Sequence, residues 1–106
     1  MLLERRSVSR KTPLDGKLEI SAEAAARLAA LGDDFALASA GRSGRARLHA
    51  MTCSCAKASA AGSHVHHFVE SPLLRALAPG SDVRVELDER DSTVRVEPAV
   101  PGGATA

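Results

Sequence analysis

The sequence has no tryptophan and no tyrosine, and phenylalanine occurs only twice among its 106 residues. Without aromatic side chains to spare, there is no stacking platform for single-stranded nucleic acid. The core must be assembled from Val, Leu, Ile and Ala, which bury little area per residue, so a bound metal or a partner subunit is an expected source of added stability. Charge of one sign is lacking too: 14 basic residues stand against 13 acidic ones. That balance gives no general attraction to nucleic acid or to an anionic membrane. No apolar run approaches the length of a membrane span, and the opening "MLLERRSVSRKTP" lacks the apolar centre of a secretory signal. The expected compartment is the cytoplasm, where the two cysteines, Cys53 and Cys55, stay reduced.

What the chain does have is distributed unevenly. Arg5, Arg6, Arg10 and Lys11 concentrate in residues 1–16, which show no hydrophobic periodicity and read as a flexible basic leader. Residues 98–106, "PAVPGGATA", read as a disordered tail. Between them, 17–97 form one domain. "KLEI" alternates as a short strand, and Ser21 is placed to cap the alanine-rich helix "AEAAARLAAL", with Glu23 in its first turn and Gly32 at its end. Ala24, Leu28 and Leu31 share one face of that helix.

Residues 34–40 and 45–55 read as strands joined by a turn at "GRSG", and 64–70 as a further strand after a loop at 56–63. Ser71 and Pro72 open a short helix that Pro79 and Gly80 end. "DVRVELD" and "STVRVEP" form a closing hairpin with Val83, Val85, Leu87, Val94 and Val96 on its inner face. The pattern predicts an α+β fold: a small mixed or antiparallel sheet with one alanine-rich helix and one short helix.

The stretch "MTCSCAKASAAGSHVHHF" holds both cysteines and three of the four histidines, and His49 lies two residues before it. In strand 45–55, Ala46, Leu48 and Ala50 alternate with Arg45, Arg47 and His49, so the odd positions face away from the core and carry Met51, Cys53 and Cys55 with them. In strand 64–70, Val65 and Val69 face inward, which places His64, His66, Phe68 and Glu70 outward and leaves His67 on the core side. An antiparallel register that aligns the two core sets sets Cys55 opposite His64, Cys53 opposite His66, Met51 opposite Phe68 and His49 opposite Glu70. Opposed Cβ atoms lie roughly 4.5 to 5.5 Å apart, close enough for two thiolates and two imidazoles to meet on one ion.

Cys53, Cys55, His64 and His66 are therefore the candidate metal ligands, for zinc or for an iron-sulfur cluster with mixed sulfur and nitrogen ligation. Two other readings stay open: a vicinal redox dithiol, which here lacks the helix start that lowers a thiol pKa, and a polar hairpin that binds nothing. Arg42, Arg45 and Arg47 read as a solvated strand face rather than a phosphate or RNA site. No Ser, His and acid constellation in recognisable context and no phosphate-binding glycine loop is present, and a catalytic zinc would have only Glu70 as base on its face.

"LEISAEAAARLAAL" and "HHFVESPLLRALAPGSDVRVELD" carry a resemblance to the HesB-like, or A-type, iron-sulfur carrier proteins, with Leu18, Ile20, Ser21, Ala24, Ala25 and Leu28 at matching positions. The resemblance spans 17–97 and implies a carrier role. The family's ligand cysteines sit in a glycine-rich mid-chain loop and a C-terminal C-G-C motif, whereas this chain has C-S-C in mid-chain and no cysteine afterwards, so no ligand carries over. The expectation is a small non-enzymatic metal-binding protein, a carrier or a metal-stapled accessory subunit, with a larger protein or a second copy as partner and neither membrane nor nucleic acid. The alternative is a metal-free interaction subunit of a larger complex.

Overall fold

The computed structural model describes residues 1–53 and 64–99. Within them the chain runs β1 (Leu2–Ser7), α1 (Lys11–Asp15), β2 (Lys17–Ile20), α2 (Ala22–Ala29), β3 (Asp34–Ser39), β4 (Arg42–Cys53), β5 (His64–Glu70), a 3-10 turn (Pro72–Ala76), β6 (Asp82–Asp88) and β7 (Thr93–Pro98). The seven strands form one sheet in the order β1-β6-β7-β3-β4-β5-β2, with every neighbouring pair antiparallel except β3 and β7. The α+β class and the mixed sheet agree with the sequence pattern, but the sheet is larger than expected and curls nearly into a barrel.

The opening residues correct the sequence reading. Residues 1–16 are not a loose leader: β1 pairs with β6, Val8 is buried, and the fully buried Thr12 donates its hydroxyl hydrogen bond to the Lys17 carbonyl at 2.8 Å. The physical reason is that β1 is an edge strand, where charges such as Arg5 and Arg6 discourage pairing with foreign chains and hide the alternation expected of a strand. Gly16, at φ 68°, ends α1 in the left-handed conformation and accepts the Ser71 N–H at 2.8 Å. At the other end, Pro98 still belongs to β7 and the Ala99 N–H donates to Asp82; residues 100–106 lie outside the described residues.

The two sheet ends approach each other at β1 and β2. There the Glu4 carboxylate accepts the Ser21 N–H, with its oxygens at 3.0 and 3.3 Å, so a side chain closes a seam that no backbone ladder spans. Ser21 caps α2 as expected, its hydroxyl accepting the Ala24 N–H at 3.1 Å, and α2 turns Ala24, Ala25 and Leu28 into the core. Leu31 packs against that core while partly exposed. The β6–β7 hairpin sets Val85 opposite Val96 and Leu87 opposite Val94, all on the buried face. Ser71 caps the 3-10 turn through the Leu73 N–H at 3.3 Å. The β3–β4 turn is tighter than "GRSG" suggested: Ala40 and Gly41 both take positive φ, giving a two-residue hairpin turn whose backbone matches strand twist, and β4 begins at Arg42.

Candidate metal centre

β4 and β5 form the ladder on which the sequence places its ligands. The observed register opposes Arg47 to Glu70, Leu48 to Val69, His49 to Phe68, Met51 to His66 and Cys53 to His64. This corrects the expected register by two residues. Leu48, rather than the smaller Ala50, lies against Val69, and Leu18 of β2 flanks Val69 on the other side, so one apolar row crosses three strands. The same slip brings the Arg47 guanidinium to 2.9 Å from Glu70. A slip of two preserves the parity of the pleat while the pairings change; Val65 and Ala50, expected to face the core, are exposed.

On the face opposite Leu48 and Val69, β4 contributes Arg47, His49 and Met51, and β5 contributes His66, Phe68 and Glu70. Phe68 is only 5% exposed despite facing away from the core. The rings of His49 and His66 lie beside it, with centroid separations of 6.3 and 6.5 Å. From the neighbouring strand β2, Glu19 places Oε2 2.8 Å from His66 Nδ1. A carboxylate accepts, so Nδ1 is the donating nitrogen of the His66 ring in this contact.

Glu70 ends this face. The hydrogen bond from Arg47 lowers its carboxyl pKa, burial opposes that shift, and the charges of Arg47 and Lys17 reinforce it. The remaining arginines of the expected cluster behave as a solvated face: Arg45 pairs with Asp34, and both side chains are largely exposed.

Of the four expected ligands, Cys53 and His64 are opposed along the backbone ladder, and His66 follows two positions along β5, opposite Met51. Cys55 lies outside the described residues. Among the described residues, no group of three or more His, Cys, Asp or Glu side chains is gathered to hold a metal. His67 is half-buried on the core-facing side, opposite Ala50 and Ile20, beside the alanine face of α2. Sequence reasoning missed Glu19. The alternation of "KLEI" already set Glu19 on the face opposite Leu18 and Ile20, but only the pairing of β2 with β5 shows that this face adjoins His66.

Comparison with protein-family models, with curated proteins and with solved structures gave no match.

Proposed function

We propose that this is a small non-enzymatic metal-binding protein whose β4–β5 face holds zinc or an iron-sulfur cluster, acting as a carrier or as a metal-stapled accessory subunit. Cys53, Cys55, His64 and His66 are the donors drawn from the sequence, and the pairing of β4 with β5, which sets Cys53 against His64 along the backbone, supports the reading. The observation that carries the reading is the Glu19–His66 contact. Metal-binding imidazoles almost always donate their second N–H to a carboxylate, carbonyl or water, which fixes the tautomer and raises ligand basicity. Thiolate and imidazole donors suit zinc, and mixed sulfur and nitrogen ligation suits a [2Fe-2S] cluster. The likeness to HesB-like carriers adds the carrier role and no ligand.

A metal-free interaction subunit is the competing reading, and it draws on the same end of the ladder. Met51 and Val65, on opposite faces, are 47% and 48% exposed. Chelation separates the two, because a structural metal contributes directly to folding free energy. A melting temperature that falls with a strong chelator and recovers with added metal supports the metal reading; a melt unchanged by chelator favours the interaction subunit.

A further inference from the structure

β4 outruns one of its neighbours. β3 pairs with it from Arg42 to Arg47, where Asp34 begins β3, and β4 then continues to Cys53 with β5 on one side alone. The two-residue turn at Ala40 and Gly41 makes Ser39 and Arg42 a hydrogen-bonded pair, and the ladder keeps its register from there, so Leu48, Ala50 and Thr52 turn their N–H and C=O groups away from β5. Among the described residues, no backbone hydrogen bond reaches 48–52 on that side. We propose that this open edge joins two copies of the chain, residues 48–52 of each pairing antiparallel about a two-fold axis at Ala50. The inference does not draw on the metal site and goes beyond it by naming a partner.

The end strands of the sheet are guarded and this edge is not. β1 carries Glu4, Arg5 and Arg6, and β2 carries Lys17 and Glu19, charges that discourage the addition of a foreign strand. Residues 48–52, "LHAMT", hold no Lys, Arg, Asp, Glu or Pro, and Ala50, Met51 and Thr52 are exposed. The segment is also its own complement. Its antiparallel image about Ala50 sets Leu48 against Thr52 and His49 against Met51, so no like charges meet and the smallest side chain stands at the axis. Leu48, Ala50 and Thr52 then meet their images as hydrogen-bonded pairs, about six backbone bonds in all. Beside the edge, the exposed Ala22, Ala26 and Ala29 of α2 line a recess with Leu48 and Ala50, so only small helix side chains border the approach of a second copy. A formal charge of +1 gives two copies little mutual repulsion. A two-fold contact uses this edge of both chains, so pairing here stops at the dimer.

The test is sedimentation equilibrium of the full chain from roughly 10 μM to 1 mM, a range suited to so small a contact. A thiol reductant and a strong chelator are present, so neither a disulfide nor a shared metal joins the copies, and a parallel series omits the chelator. Wild type is compared with Ala50→Lys, Ala50→Glu, their equimolar mixture and Thr52→Pro, each checked by circular dichroism. The expected wild-type mass rises with concentration from 11.0 kDa toward twice that value. Ala50→Lys and Ala50→Glu alone each raise the dissociation constant at least about fivefold, because like charges then face each other across the axis, and the mixture restores association by setting Lys against Glu. Thr52→Pro, which removes an N–H from the open side and none from the β5 ladder, weakens the dimer as well and serves if the Ala50 variants fail to fold. A wild type that stays monomeric, a dimer unmoved by all of the variants, or a mixture no more associated than its parents overturns the inference. A dimer that forms only without chelator also overturns it and leaves the metal-binding reading standing.

Discussion

Glu19 on β2 and His66 on β5 meet at 2.8 Å, joining an edge strand of four residues to the strand that carries the candidate ligands. The pair is partly exposed, with side-chain exposures of 34% for His66 and 44% for Glu19, so its direct contribution to stability is small. Its consequence is orientation of the imidazole.

Glu19→Gln should therefore weaken metal binding by about ten- to a hundredfold while changing the stability of the metal-free chain by less than about 1 kcal/mol. Competitive chelator titration and urea unfolding of the apo protein measure the two effects separately. Equal metal affinity in the variant would remove Glu19 from the account.

The seam between β1 and β2 makes a different prediction. Glu4 is the acceptor for the Ser21 N–H, and its side chain is 14% exposed. Glu4→Ala leaves that donor without its partner, at an expected cost of about 1 to 3 kcal/mol in urea unfolding. A variant as stable as wild type would mean that the barrel closes without the seam.

Acid should act on the Arg47–Glu70 pair in a defined direction. The Glu70 pKa lies below the ordinary carboxylate value, so the pair stabilises the fold above that ordinary value and loses its effect as pH falls through the lowered one. Arg47→Leu is expected to cost under about 1 kcal/mol at neutral pH, because Arg47 is well exposed, and the difference from wild type should shrink on acidification. Thermal melts across the acid range read this directly; a difference that grows in acid contradicts it.

Two glycines with positive φ should respond unequally to alanine. At Gly16 a Cβ would lie 2.7 Å from the Ser71 carbonyl oxygen, a backbone atom that accepts the Leu74 N–H, whereas at Gly41 nothing lies within 4 Å. Gly41→Ala carries only the left-handed strain, about 1 kcal/mol, and Gly16→Ala adds a clash that brings it to about 2 kcal/mol or more. Chemical unfolding of the two variants side by side tests the order.

Period-2 alternation made most of the sheet legible: Val83, Val85, Leu87, Val94 and Val96 face inward as their spacing demands, and the Ser21 cap lies where the helix begins. Alternation also placed Ala46 and Val69 inward and Arg47 outward, because parity survives a slip of two, but it did not foresee that Phe68 is buried while Ala50 and Val65, read as core-facing, are exposed. It could not set the register itself, which depends on Leu48 packing against Val69 and on Arg47 reaching Glu70. The β2–β5 and β1–β6 pairings link residues far apart in the chain, and neither leaves a local mark. That is why Glu19 went unnoticed beside His66 and why residues 1–16 read as a leader although Val8 and Thr12 are buried.

The central claim, that the β4–β5 face binds a metal through Cys53, is tested most directly by elemental analysis together with the absorption spectrum of untagged protein purified without oxygen, beside Cys53→Ser and Cys53→Ser/Cys55→Ser variants. The account predicts close to one metal ion or cluster per chain in the wild type and its loss in both variants. A metal-free wild type, or metal retained at the same level in both variants, would contradict it.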